Sequence, residues 1–237
     1  MAFQLSPGVN VSEVDLTTVV PSIFTTAGAF AGQFPWGPVG KTILVDNEIT
    51  LSRYFAPQGP TTASAVSFFT AANFLAYGNN LSVVRAVEAN TYNASANTII
   101  QVPNPTQFEY LYLSTDNHDT YGAFLAKYPG ALGNSLKVSM ADSATYSAWT
   151  YKSEFQAAPG TSTYAENNIG NPYAIDELHI VVVDEDGKFS GTQGTILEKY
   201  AFVSKASDAK TETGESNYYK DVINTKSQYI WWGNHTT

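Results

Sequence analysis

Apolar and polar residues alternate through Val9-Asn10-Val11-Ser12-Glu13-Val14, directly after the breaker Ser6-Pro7-Gly8, and this alternation reads as a strand. No glycine-containing hairpin turn follows before Pro21, so the sequence supplies no return strand. A terminal strand without a partner invites pairing with another chain. Residues 9–20 therefore read as an arm that adds a strand to a neighbour's sheet, with Val9, Val11, Val14, Leu16, Val19 and Val20 as its apolar positions. An ordinary edge strand of the same domain is the competing reading.

Further along, residues 23–31 are small and apolar with little polar interruption, which predicts a buried strand. Residues 33–40 are dense in Pro and Gly and predict a loop, and 41–45 another short strand. Residues 47–55 predict one short helix stopped before Pro57. The clearest helix opens at Pro60-Thr61-Thr62, with Thr61 or Thr62 as N-cap. Ala65, Phe68, Phe69, Ala72 and Leu75 or Ala76 recur at helical spacing, and Gly78 closes the helix. A strand at 81–87 completes the order of an α/β unit.

The texture changes near Glu88, where a domain boundary or crossover is placed, because residues 89–97 have no apolar face. Beyond it, 108–113 could be a strand, 116–119 is a polar turn, and 124–135 holds a short element and a tight turn. Residues 136–140 predict a strand with Leu136, Val138 and Met140 on one face. Residues 178–183 predict another strand, turning at Asp184-Glu185-Asp186-Gly187 and returning through 188–190. Residues 195–204 are mixed, 205–216 read as solvated loop, and the apolar stretches 218–223 and 229–232 finish the chain.

Composition narrows the function classes. Charged residues make up 14% of the 237, against the ~25% usual in a soluble domain, and so little charge favours association. A net charge of −9 argues against nucleic acid and against anionic membrane. The absence of cysteine removes thiol chemistry and disulfides. No signal peptide or membrane span is expected. His118, His179 and His235 lack a His, Asp or Glu at the spacing of a metal pair, so neither metal nor cofactor is implied. A calcium loop starting at Asp184 would need a glutamate where Thr195 stands, and a hairpin turn explains Asp186-Gly187 better. Asp184 and Asp186 are paired carboxylates of a kind common in turns, and neither a phosphate loop nor a Gly-x-Ser-x-Gly elbow occurs. The 15 Tyr, 13 Phe and 4 Trp suit core and subunit interface, or else a carbohydrate-binding face that would use Trp231 or Trp232.

Four blocks carry a family resemblance: Leu5-Ser6-Pro7-Gly8-Val9 with Glu13, residues 29–38 (Ala29 to Pro38), residues 73–87 (Asn73 to Val87) and residues 128–136 (Tyr128 to Leu136). Together they resemble the start of the tail sheath proteins of contractile-tailed bacteriophages (myoviruses). The resemblance implies a homo-oligomer of stacked rings around a tail tube protein, with baseplate and tail terminator proteins as further partners. Such a sheath assembles in the host cytoplasm, becomes part of the virion, and contracts to drive the tube through the host envelope without nucleotide hydrolysis. It also implies an α+β layout. An N-terminal arm (1–22) would be followed by the first part of an α/β inner domain (23–88) and a mainly β outer domain (89–237). Family members are longer, so the chain is expected to be a fragment, a truncated product or one part of a split protein, with 23–88 short of partner strands. A static virion component (tube, baseplate or fibre), a carbohydrate-binding module and, last, an enzyme are the other readings.

Overall fold

The computed structural model describes residues 26–55, 62–96, 99–113 and 123–233. The arm positions Val9, Val11, Val14, Leu16, Val19 and Val20 lie outside the described residues, as do Thr61, the 116–119 turn, His118 and His235.

The first described unit is a three-stranded sheet in the order β1 (Ala27–Gln33), β3 (Asn80–Ala86), β2 (Ile43–Val45). β1 runs parallel to β3, from Ala27 opposite Asn80 to Gln33 opposite Ala86, and β2 runs antiparallel on the other side. Parallel neighbours need a long crossover, and here it contains β2 and two helices, α1 (Glu48–Phe55) and α2 (Thr62–Leu75). Asn47 starts α1 by accepting the Thr50 N–H at 2.8 Å on its side chain. Gly78 closes α2 by donating its N–H to Phe74 O at 2.9 Å. Phe34, Val45, Leu51, Phe55, Phe68, Ala71, Leu81 and Val83 form the core between helices and sheet.

β1 is not the buried strand that its apolar run predicts: along it, exposed and half-buried residues alternate. Apart from Phe30 and Gln33 its residues are Ala and Gly, so composition hides the alternation. Gly28 and Gly32 face α2, where a Cβ would come within 2.6 Å of Phe74 at Gly28 and 2.9 Å of Ser67 Oγ at Gly32. Ala27, Ala29, Ala31 and Gln33 face outward and are exposed. Ser67 ties the layers by accepting the Gln33 N–H at 3.1 Å and donating to Ala63 O at 2.9 Å.

After β3 the chain forms α3 (Pro105–Leu113), where a strand at 108–113 was expected. The preceding Asn104 decides this. It caps the Gln107 N–H at 3.1 Å, and Pro105 sits in the first turn, where no N–H is required. β4 (Phe124–Ala126) pairs with β8 (Ile230–Trp232), and α4 (Tyr219–Lys226) precedes β8. The second three-stranded sheet is antiparallel, in the order β5 (Leu136–Asp142), β6 (Glu177–Asp184), β7 (Thr195–Ser204).

β6 is buried on both faces, which is why its sequence is a continuous apolar run. Leu178, Ile180 and Val182 pack with Tyr219, Val222, Ile223, Ile230 and Trp232, and Leu136, Val138 and Met140 join them from one face of β5, as expected. Val181 and Val183 pack on the other side with Ala141 and Trp149. The return strand is β7, not residues 188–190. Gly187 does turn, at φ 73°, but the connection continues to Gly194. The chain is thus a mixture of α and β with three small sheets among the described residues.

Candidate functional site

Buried polar side chains are mostly spent on holding main chain. Asp184 ends β6 and is fully buried. One of its oxygens accepts from Ser135 Oγ, and the other from the N–H groups of Phe189 (2.9 Å) and Ser190 (2.8 Å) and from Ser190 Oγ (2.9 Å). Burial pushes its carboxyl upward, but these bonds outweigh burial and leave it below the usual carboxylate range. Asp186 has no share in that work. It meets Lys188 at 2.8 Å on the surface, so the two carboxylates do not form a functional pair. Asp176 is also a brace, accepting from Ser162 N (2.8 Å), Ser162 Oγ (2.8 Å) and Ser204 Oγ.

His179 is fully buried. Its Nδ1 accepts the Phe202 N–H at 3.0 Å, which leaves Nε2–H to donate to Ala157 O at 2.9 Å, and its ring stacks on Phe155 at 4.1 Å. Phe202 lies at φ 53°, the left-handed region, beside a break in the β6–β7 register, so the imidazole satisfies an amide that the ladder cannot. Lys127 lies over the Trp231 ring at 4.2 Å and donates to Ser227 O. Burial pulls its ammonium down to about 8, partly offset by Glu198.

All four tryptophans are buried: Trp36, Trp149, Trp231 and Trp232 are 3%, 9%, 4% and 7% exposed. A sugar platform on Trp231 or Trp232 is therefore corrected, since Trp231 stacks on Phe108 at 4.2 Å and Trp232 Nε1–H donates to Tyr219 at 3.1 Å. A cleft of about 560 Å³ lies where Trp36, Tyr54, Tyr128, Phe189 and Tyr229 approach one another, with Glu48 and Arg53 at its lining. Among the described residues no group of His, Asp and Glu is placed to hold a metal, and no helix is long and apolar enough to cross a membrane.

Several exposed apolar residues lie on the first unit, others at Tyr92, Ile99, Tyr110, Tyr173 and Ile175. Val66, Phe69 and Tyr77 point outward from α2 and its end, Ile49 from α1 and Leu44 from β2. α2 carries no charged residue, and apolar side chains occupy both its buried and its open face. A helix of that kind ordinarily lies between two layers.

The buried polar side chains thus brace main chain, and α2 presents an uncharged face with exposed apolar residues. No family model matches the chain. Among curated proteins it is similar to the tail sheath protein of Salmonella phage ViI, 28% identical over 229 residues, which is 93% of this chain and 33% of that protein. It is 41% identical over 92 residues to the tail sheath protein of Enterobacteria phage T4, covering 39% of this chain and 14% of that one. The tail sheath protein of Vibrio phage KVP40 matches at 38% over 102 residues, 40% of this chain and 15% of that one. The chain is thus similar to bacteriophage tail sheath proteins, in line with the sequence resemblance, and spans about a third or less of their length. A crystal structure of a sheath tail protein from Listeria innocua aligns with a TM-score of 0.42 at 11% identity, over 89% of this chain and 30% of that one.

The internal struts were not singled out in the sequence, although Arg85 gave a signal. It falls on the face of β3 that carries Leu81 and Val83, so alternation alone places a cation in the core.

Proposed function

We propose that this chain is a structural part of a phage contractile tail sheath. It polymerises around the tail tube protein, within a virion that also supplies baseplate and tail terminator partners, and contraction drives the tube through the host envelope. The observation that carries this reading is the similarity to a tail sheath protein through 93% of the chain. The layout that goes with it is an arm at 1–22, the first part of an inner α/β domain at 23–88 and an outer domain at 89–237. The outward row of β1 and the open face of α2 support the inner assignment, because an uncharged helix with apolar residues on its open face ordinarily lies between two layers. The work of contraction comes from the difference between two packings of the same subunits.

Antibody to this chain, followed by immunogold electron microscopy of extended and contracted virions, tests the reading. Label along the whole outer tail that follows the sheath as it shortens is expected. Label confined to baseplate, fibres or capsid overturns it.

A further inference from the structure

β3 delivers one cation to the interior. Arg85 is 3% exposed, and its guanidinium reaches four main-chain carbonyls: Nε to Phe34 O at 2.7 Å, Nη1 to Gly37 O at 2.8 Å, and Nη2 to Pro35 O at 3.1 Å and Pro129 O at 2.8 Å. Among the described residues no carboxylate forms an ion pair with it; the compensation comes from oriented carbonyl dipoles. Three of these carbonyls belong to the loop that leaves β1. The fourth belongs to the turn after β4, on the far side of the Glu88 boundary.

The same loop is fastened from that far side as well. Val39 N–H donates to Pro103 O at 2.8 Å, and Asn104 Nδ2 donates to Val39 O at 2.9 Å. Trp36 packs edge-on against Tyr128 at 5.3 Å and Phe189 at 4.9 Å. The backbone is shaped to admit the fork. Gly130 sits at φ 133°, and a Cβ there would come within 3.1 Å of Arg85 Nη2. Gly37 sits at φ 115°, where a Cβ would strike Tyr54 O at 2.6 Å.

We propose that Arg85 is a positioning residue that fastens the 34–39 strap to the 129–130 turn and so joins the β1–β3 sheet unit and the β4–β8 region into one rigid body. A planar fork is required, since a lysine ammonium presents its donors from a single point and cannot span acceptors on two segments. The inference goes beyond the sheath reading and does not rest on it. Within an assembly it means that a load applied to one unit is transmitted to the other without a hinge between them.

Hydrogen–deuterium exchange and calorimetry on the whole chain test this, comparing the wild type with Arg85→Lys and Gly130→Ala. Arg85→Lys keeps the buried charge, and Gly130→Ala leaves Arg85 itself in place while crowding its fork. The wild type should unfold in one transition. In either variant, amides of 34–39 and 128–130 should exchange about tenfold faster or more, the scale of one lost charge-assisted bond. β5–β7 should keep its protection, and the endotherm should split in two. A single endotherm displaced as a whole, with exchange raised equally everywhere, overturns the proposal, as does an unchanged strap in both variants.

Discussion

Asp184 shows how a single side chain can hold a loop that its own sequence does not stabilise. Four donors from Ser135, Phe189 and Ser190 converge on it, and it sets Phe189 against Trp36 at 4.9 Å. Asp184→Ala removes the acceptor of all four donors, of which Ser135 is fully buried, and should cost about 3 kcal/mol, the scale of lost bonds to a charged group, read by urea unfolding at neutral pH. The carboxyl is held below its ordinary range, so its contribution is full above the unfolded-state value and is lost as pH falls through the native one. The difference between wild type and variant should therefore shrink on acidification, and a constant difference would contradict the assignment. The sequence shows Asp184 only as a turn residue. Ser135 and Ser190 are too far apart along the chain for any pattern to link them, so its burial was not legible.

At the scale of elements, legibility followed how much each element depends on its own residues. β6 was plain because both faces are buried, and α1 and α2 were plain because their starts and stops are written locally. α3 was missed because Phe108, Tyr110 and Leu111 suit a strand, and the deciding residues, Asn104 and Pro105, stand before them. Asn104 also donates to Val39 O, so Asn104→Ala removes both a helix cap and a link to the β1 loop. A loss of about 1–2 kcal/mol is expected in chemical denaturation, and no change would show that the cap is dispensable. β7 was hidden for a different reason. Its register breaks twice against β6, and Phe202 turns out of the ladder onto His179, so its apolar residues keep no single period. The candidate site fared similarly: the family was legible in four sequence blocks, whereas the struts depend on contacts between distant segments.

At the scale of the molecule, a net charge of −9 opposes close packing of copies, and α2 offers uncharged surface where that opposition is least. If residues 1–20 are the arm proposed for the sheath, a virus encoding the protein without them should still give a folded β5–β7 region but no ordered sheath. Proteolysis and electron microscopy of the product would read the two halves of that expectation, and ordered sheaths of normal length would refute the arm. The four buried tryptophans have an optical consequence. Trp36, Trp149, Trp231 and Trp232 each sit in a different hydrophobic cluster, while the cluster of the first sheet and its helices has none. Ultraviolet emission from the folded chain is therefore blue-shifted and reports the solvation of four interiors. Loosening confined to the helices over the first sheet passes without a change in colour until a tryptophan is placed there.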